Sequence, residues 1–136
     1  MLKITGFGFT ILALFVIGTS FIQAYNLPKS ITRGKEAYVL YCQNCHMEDG
    51  KGQEGLYPPL AKADFLKKPN KVLINVILNG QNGEVTVNGI KYNTDMPAQN
   101  YLTDDQIADI LNYTKNTWGN KSAIAIAPAM VKQLRQ

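Results

Sequence analysis

Three stretches of the chain carry apolar residues at the three- and four-residue spacing of an amphipathic helix. They are SITRGKEAYVLYCQNCH at residues 30–46, PNKVLINVILNG at 69–80 and LTDDQIADILNYTKNTWGN at 102–120. The side chains predicted to form the inner faces of the last two are Val72, Leu73, Val76 and Ile77, and Ile107, Ile110, Leu111 and Thr114. Helices with one apolar face pack those faces together, so the pattern predicts an all-α fold.

The predicted helices have distinct ends. Their predicted starts are Thr32, Pro69 and the capping pair Thr103 and Gln106. Their predicted stops are Gly80 for the second helix and Gly119 or Asn120 for the third. Within the first helix, Gly34 and Tyr38 lie four residues apart and would share one face. Because glycine destabilises an isolated helix, Gly34 predicts a close crossing with the third helix.

The spacing of apolar residues changes between the second and third helices. In GEVTVNGIKYN, residues 83–93, the apolar positions around Asn88-Gly89 are Val85, Val87, Ile90 and Tyr92. Asn-Gly between such residues is the strongest short-range signal for a hairpin. We therefore predict a small β-hairpin that leads the chain into the loop after residue 93.

The composition agrees with a folded domain and limits its partners. The 136 residues are enough for one domain, and 46% of them are hydrophobic while 18% are charged. The net charge of +4 is mild. Because nucleic-acid binding requires a concentrated basic face, we expect no nucleic-acid partner.

The first 24 residues differ from the rest of the chain in their pattern of charge and hydrophobicity. After Lys3, residues 4–22 carry no charge, and the small residue Ala24 follows. This pattern is typical of a signal peptide cleaved after Ala24, which would leave residues 25–136 as the domain. Because the apolar run approaches the roughly 20 residues that span a bilayer, an uncleaved membrane anchor stays open. In either case we expect an exported, periplasmic domain, which would be associated with the membrane if the segment is retained.

Both cysteines and the only histidine of the chain lie in one pentapeptide, Cys42-Gln43-Asn44-Cys45-His46. In an exported protein this spacing is compatible with a disulfide, a redox dithiol, half of a zinc site or a haem attachment site. A structural zinc site needs four ligands, and the sequence has no further cysteine or histidine. A thioredoxin-type dithiol would need alternating strands and helices, and a disulfide leaves His46 unexplained.

Haem attachment accounts for all three residues. The thiols of Cys42 and Cys45 would each add to a haem vinyl group, and the imidazole of His46 would bind the iron. We therefore predict one haem c, bound covalently through two thioethers.

The iron then needs a sixth ligand or has an open site. Of the four methionines, Met1 lies in the export segment and Met130 in a polar C-terminal tail. Met47 adjoins His46, so it cannot reach the opposite side of the ring. Met96 stands in the turn-rich loop NTDMPAQN, where polar neighbours argue against a role as core filler. We predict Met96 as the sixth ligand, since His/Met is a standard axial pair.

The loop after the pentapeptide offers a partner for the histidine. A ligating histidine usually donates its second ring N–H to an acceptor. The loop EDGKGQEGLYPPL has three glycines, two prolines and no helical period. We expect the carbonyl of Pro58 in this loop to accept a hydrogen bond from His46.

Taken together, these residues resemble the class I c-type cytochromes over residues 31–120. The likeness is carried by Gly34-x-x-x-Tyr38, Cys42-x-x-Cys45-His46, Pro58-x-Leu60, Met96-Pro97, and Tyr113 and Trp118 near the end of the last helix. The chain resembles in particular the single-haem bacterial domains that occur alone, as electron-carrier subunits of dehydrogenases, or attached to oxidases and copper nitrite reductases.

The resemblance implies a cytochrome c fold of three to five helices around one haem, with a small β-hairpin before the methionine loop. The haem-binding residues that it implies are Cys42, Cys45, His46, Pro58, Leu60 and Met96, with His46 and Met96 as the iron ligands. It also implies that the first and last helices cross through Gly34, Tyr38 and Tyr113. The tail, residues 121–136, in which Pro128 could begin a short helix, is assigned no role.

Filled axial positions favour electron transfer over catalysis, because the iron can change its oxidation state but has no free site for a substrate. We predict a one-electron carrier, and not an enzyme, that passes electrons between respiratory redox proteins. The alternative is a haem enzyme or gas sensor in which Met96 leaves the iron. The densest basic stretch, which either steers an acidic partner or is an ordinary solvated face, comprises Lys62, Lys67, Lys68 and Lys71.

Overall fold

The structure is a computed structural model in which residues 25–135 are described. Within this range the chain forms five α-helices, one 3₁₀ helix and one two-stranded antiparallel sheet. In chain order these are α1 (Leu27–Tyr41), α2 (Gln43–His46), the 3₁₀ helix Asp64–Lys67, α3 (Asn70–Asn79), β1 (Val85–Val87), β2 (Ile90–Tyr92), α4 (Asp104–Thr114) and α5 (Pro128–Lys132). The predicted helical fold with one small hairpin is confirmed.

The signal peptide or anchor predicted for residues 1–24 lies outside the described residues. Among the helices of residues 25–135, none has both the length and the apolar character that crossing a bilayer requires. The domain boundary expected after Ala24 therefore stays a prediction.

Helix α1 begins earlier than predicted. Asn26 is its N-cap, and the side-chain oxygen of Asn26 accepts from the backbone N–H of Lys29 at 3.1 Å. Pro28 suits the first turn because a proline there needs no N–H partner. The prediction of Thr32 as the N-cap is wrong. Thr32 lies inside the helix, where its hydroxyl donates to the carbonyl of Pro28 at 3.2 Å.

Helices α1 and α4 cross in direct contact at Gly34. A Cβ atom added to Gly34 would lie 2.0 Å from the carbonyl oxygen of Asp109 and 2.8 Å from the Cβ of Tyr113. The close crossing predicted from this glycine is confirmed. The ring of Tyr38, on the same face of α1, has its centroid 5.4 Å from that of Tyr113 and 5.0 Å from that of Trp118.

Asp109 fastens the start of α1 to α4. Its carboxylate accepts hydrogen bonds from the hydroxyls of Tyr25 and Ser30, both at 2.5 Å, and from Nε of Arg33 at 2.6 Å. Asp109 is only 4% exposed. Removing a carboxylate from water is costly unless hydrogen-bond donors and a cation replace the lost water. Tyr25, Ser30 and Arg33 do so here.

The start of α4 follows the prediction, whereas its end does not. Thr103 and Gln106 form both halves of the predicted capping box. The helix ends at Thr114 and not at Gly119 or Asn120. The physical reason is that the side-chain amide of Asn120 folds back and donates to the carbonyl of Thr114 at 2.8 Å, which closes the last turn.

Helix α3 turns a slightly different face to the core than predicted. Its buried residues are Leu73, Ile74, Ile77 and Leu78. Val72 and Val76, which were expected in the stripe, are both only partly buried, so the fully buried positions shift by one residue along the helix. The run VLINVIL is apolar at almost every position, so its periodicity defines the inner face poorly. Gly80 ends the helix as predicted, with a φ of 76°.

The predicted hairpin is present and is tied to the rest of the fold. Its register pairs Val85 with Tyr92, Thr86 with Lys91 and Val87 with Ile90. Asn88 and Gly89 have φ angles of 52° and 80°, which the two-residue hairpin turn requires. The backbone N–H of Asn88 donates to Oδ1 of Asp64 at 2.8 Å, and the backbone N–H of Asp64 donates to Oδ1 of Asn88 at 2.9 Å.

The C-terminal tail is an integral part of the fold. The side-chain amide of Asn112 in α4 donates to the carbonyl of Ile126 at 2.9 Å and accepts from the backbone N–H of Ile126 at 2.8 Å. Pro128 begins α5 as predicted. Ile126 and Val131 have no exposed surface, so the tail extends the core across α4.

Candidate cofactor site

An apolar cleft lies between α2, α3, the hairpin and α4. Hydrophobic side chains that form its walls are Leu66, Leu73, Ile77, Val87, Ile110 and Leu111. Together with its open mouth, the cleft encloses about 1250 Å³. Cofactor sites are typically concave and lined mainly by hydrophobic side chains, so the lining of this cleft suits a large planar group.

All predicted site residues lie around this one cleft. They are Cys42, Cys45, His46, Pro58, Leu60 and Met96. They come from three segments that are distant in the sequence and that the fold brings together. Val85 and Val87 of the hairpin also line the cleft, so the hairpin forms part of its wall.

The pentapeptide is shaped by a break between two helices. The helix predicted to run into the pentapeptide is α1, which ends at Tyr41, and Cys42, with a φ of −123°, separates it from α2. The carbonyl of Cys42 accepts from the backbone N–H groups of both Cys45 and His46, at 3.2 and 3.0 Å. The chain thus turns tightly after α1 and presents both cysteines and His46 to the cleft.

The side chain of Cys42 packs against the hydrophobic core. Burial, assisted by the neighbouring Cys45, raises the pKa of the Cys42 thiol to about 12. Redox-active dithiols rely on a cysteine whose pKa is lowered. The environment of Cys42 is therefore the opposite of the one that a thioredoxin-type site needs.

His46 is held in one orientation and one protonation state. Its Nδ1 lies 2.9 Å from the carbonyl oxygen of Pro58. Because a carbonyl can only accept, Nδ1 carries the proton and Nε2 keeps its lone pair. Burial lowers the pKa of His46, and the hydrogen bond to Pro58 opposes this only in part. The ring is neutral near pH 7, which is the form that binds metals.

Gly52 supports this hydrogen bond and was not singled out by the sequence. Its φ is 64°, and an added Cβ would lie 2.3 Å from the carbonyl oxygen of Tyr57 and 2.6 Å from that of Pro58. Any side chain at Gly52 would displace the acceptor for His46. The glycine-rich composition of this loop was the signal that pointed to such a role.

Leu60 is fixed to two other parts of the chain. Its backbone N–H donates to the carbonyl of Gly50 at 2.7 Å. Its carbonyl accepts from the side-chain amide of Asn120 at 2.7 Å. Leu60 is half-buried against the core, so its side chain forms a stable part of the cleft wall.

Met96 is anchored through its backbone. Its N–H donates to the carbonyl of Gln81, and the N–H of Gln81 donates to the carbonyl of Met96, both at 2.9 Å. A Cβ added to Gly80 would lie 2.4 Å from the carbonyl oxygen of Met96. Gly80, predicted only as a helix stop, thus also lets the backbone of Met96 pack closely against it. The sequence did not indicate that Gln81 pairs with Met96.

The chemistry of this cleft fits a covalently attached haem. Thiols can add to the vinyl groups of the porphyrin, and a neutral imidazole and a thioether are both ligands of haem iron. The apolar walls match the hydrophobic faces of the ring. Geometry and donor set therefore agree on the kind of cofactor.

Comparison with known proteins leads to the same conclusion. The family model described as cytochrome c matches residues 31–118. The chain is similar to a cytochrome c-552 of Thermus thermophilus, with 38% identity over 109 residues, which cover 77% of this chain and 73% of the relative.

The chain is also similar to cytochrome subunits of dehydrogenases. It is 32% identical over 104 residues to the cytochrome c subunit of a quinone-type alcohol dehydrogenase from Gluconobacter oxydans, covering 75% of this chain and 22% of the relative. It is 30% identical over 128 residues to the cytochrome c subunit of gluconate 2-dehydrogenase from Pantoea cypripedii, covering 87% of this chain and 29% of the relative. The chain therefore belongs to the cytochrome c family and is an electron carrier with a covalently bound haem c.

Proposed function

We propose that the cleft residues divide the task of holding one haem. Cys42 and Cys45 would form the thioether bonds, while the imidazole of His46 and the thioether of Met96 would bind the iron. The carbonyl of Pro58 orients the imidazole through its 2.9 Å hydrogen bond. The observation that carries this proposal is that these residues, from distant parts of the sequence, line one apolar cleft.

The chain's own contribution is to hold the ligands in place and to exclude water. The bound haem supplies the one-electron chemistry between ferric and ferrous iron. The paired hydrogen bonds to Gln81 fix the backbone of Met96. Leu60 and the other apolar walls keep the cleft dry, and a dry site disfavours the extra charge of the ferric state.

These residue roles support transfer of single electrons between proteins. With His46 and Met96 both bound, the iron would have no free site for a substrate or a gas. Methionine ligation also raises the reduction potential compared with two histidines. The alternative, a haem enzyme or a gas sensor, requires Met96 to leave the iron.

Carbon monoxide tests the sixth ligand directly. In the reduced holoprotein we expect the optical spectrum to stay low-spin on mixing with carbon monoxide and to change only slowly afterwards, because the thioether of Met96 would have to leave the position that the gas needs. A rapid and complete spectral shift would overturn the proposal and favour a ligand-binding function.

We further propose that the electron donor is a dehydrogenase. Cytochrome subunits of alcohol and gluconate dehydrogenases are among the relatives of this chain. The similar region spans less than a third of each of those subunits. The domain would thus serve either as a separate carrier or as one cytochrome domain of such a complex.

A basic hollow beside the cofactor cleft is a candidate docking surface for that partner. We call it the lysine hollow; its lysines are Lys62, Lys67, Lys115 and Lys121. Its wall includes Ala63 and Leu66, which also line the cofactor cleft. Lys62 and Lys67 of the predicted basic stretch line this hollow. Lys68 does not line it, and its Nζ lies over the ring of Phe65, 4.7 Å from the ring centroid. We propose that the lysine hollow receives an acidic face of a redox partner.

Charge reversal in the lysine hollow is expected to slow electron transfer with an acidic partner. We expect Lys67→Glu/Lys121→Glu to reduce the second-order rate roughly tenfold at low ionic strength, and the difference from wild type to shrink as salt is added. Stopped-flow oxidation by an acidic redox protein measures this rate. Lys29→Glu/Lys35→Glu, on exposed sites of α1, changes the net charge equally and is the control. Equal slowing by both pairs would contradict a specific docking site.

We also infer that the domain works outside the cytoplasm. Bacterial c-type cytochromes are typically exported, and the apolar run at residues 4–22 provides a signal for this. N-terminal sequencing of the protein purified from its native membrane and soluble fractions distinguishes a chain that begins at Tyr25 from one that keeps its anchor.

A further inference from the structure

Arg135, near the end of the tail, makes contact with the segment that follows the methionine loop. Its Nε donates to Oδ1 of Asp104 at 2.5 Å, and its Nη1 donates to the carbonyl of Asn100 at 2.6 Å. Its Nη2 donates to the carbonyl of Leu102. All three nitrogens of the guanidinium are thus engaged, two of them by main-chain carbonyls of one short segment.

The tail residues that precede Arg135 are packed against the core. Ile126 and Val131 are completely buried, and Leu134 is half-buried against the core. The two hydrogen bonds between Asn112 and Ile126 lock the beginning of this stretch to α4. A guanidinium carried on such a packed segment can restrain the loop that it contacts, because little of its own freedom remains to be lost.

The segment that Arg135 contacts is continuous with Met96. On one side, the backbone of Met96 is paired with Gln81. On the other side, the N–H of Gln99 donates to the carbonyl of Ile77 at 2.8 Å, and the N–H of Leu102 donates to the carbonyl of Gln99 at 3.1 Å. Leu102 is 2% exposed and lines the cofactor cleft. The hydrogen bond from Arg135 to the carbonyl of Leu102 therefore restrains both the wall of the cleft and the methionine loop.

We propose that Arg135 is a positioning residue that holds the methionine loop closed over the cleft and thereby slows the release of Met96 from the iron. This inference rests on the proposed role of Met96 as an axial ligand. It assigns the tail a function in ligand retention in addition to its place in the core. The geometry of the guanidinium matters as well as its charge, since it reaches the three acceptors through three separate nitrogens, whereas a lysine has one.

The first experiment measures how fast carbon monoxide replaces the sixth ligand in the reduced holoprotein. We expect Arg135→Gln to accelerate this replacement about tenfold, the factor that corresponds to one lost hydrogen bond from a charged group. Arg135→Lys keeps the charge but loses the fork, so we expect an intermediate rate. Lys132→Gln removes one charge from an exposed site of the same tail and is expected to behave like the wild type.

A second measurement separates loop release from general loosening. In Arg135→Gln we expect faster hydrogen exchange at the amides of Met96 and Gln99, with unchanged exchange at Ile110 in the middle of α4. Equal acceleration at Ile110, or a rate for Arg135→Gln equal to that of Lys132→Gln, would overturn the inference.

Met96→Ala distinguishes failure of this inference from failure of the proposed ligand. If Met96 binds the iron but Arg135 does not retain it, Met96→Ala reacts at once with carbon monoxide while Arg135→Gln matches the wild type. If Met96 is not a ligand, the wild type and Met96→Ala react alike, which overturns both proposals.

Discussion

Replacing Met96 by alanine is expected to lower the reduction potential by on the order of 0.1 V, within the range of about 0.8 V over which axial ligands set the potential of haem iron. The thioether sulfur favours ferrous iron, and its loss leaves the position to water, which favours the ferric state. The change also opens the sixth site. Redox titration followed by addition of carbon monoxide measures both effects on the same sample.

Met130 offers a matched control for this substitution. It is a half-buried methionine in α5 that packs against the core and lies outside the lining of the cleft. We expect Met130→Ala to lower stability but to leave the potential and the reaction with carbon monoxide unchanged. If Met96→Ala kept the wild-type potential and stayed closed to carbon monoxide, the assignment of Met96 as a ligand would be wrong.

Replacing Gly34 by alanine is expected to destabilise the fold by about 2 kcal/mol. Overpacking in a core costs about 1–3 kcal/mol, and the cost here lies at the upper end of that range because the new methyl would meet the backbone of Asp109 at 2.0 Å, which cannot rotate away. Alanine has a helix propensity about 1 kcal/mol more favourable than that of glycine. The net destabilisation therefore arises because the methyl group forces α1 and α4 apart. Urea unfolding of the oxidised holoprotein, monitored by far-UV circular dichroism, measures this loss.

Lys35 is the natural comparison for Gly34. It is the next residue of α1 and is exposed, so Lys35→Ala changes the same helix without touching the crossing. We expect Lys35→Ala to change the free energy of unfolding by less than about 0.5 kcal/mol. Stability of Gly34→Ala equal to or above that of Lys35→Ala would show that the crossing tolerates a wider spacing.

Local signals in the sequence were sufficient for much of the fold. The capping box of α4 and the Asn-Gly turn depend on residues a few positions apart, and both occur as predicted. The contact of α1 with α4 could also be predicted, because glycine destabilises a helix and its presence at position 34 indicates that another backbone lies close by. Such features are determined by short-range geometry, which the sequence displays directly.

The predictions that failed involve competition between several plausible partners. Thr32 is a good N-cap in isolation, but Asn26 followed by Pro28 gives an earlier and better start. The end of α4 depends on Asn120, whose side chain reaches back across six residues to Thr114. In each case the outcome depends on which of several side chains makes the hydrogen bond at the end of the helix, and a local pattern does not rank them.

The candidate site shows the same division. The pentapeptide and the methionine loop are visible in the sequence because their residue types are rare in this chain. The pairing of Gln81 with Met96 is not, since it arises from main-chain groups that every residue has. The glycines of the loop after the pentapeptide indicate a role for Gly52 but not which groups it contacts. The lysine hollow likewise joins residues around 62–67 with Lys115 and Lys121, and only the folded chain brings these together.

The paired hydrogen bonds between Asp64 and Asn88 also affect the chemical stability of Asn88. Asn-Gly is the sequence most prone to deamidation, because the unhindered amide of glycine can attack the asparagine side-chain carbonyl. In this hairpin that carbonyl, on Asn88, is engaged by the backbone N–H of Asp64, which holds it in a fixed orientation. We expect the contact that secures the hairpin to slow this chemistry, so that the wall of the cleft gains covalent durability from the same two bonds that give it its shape.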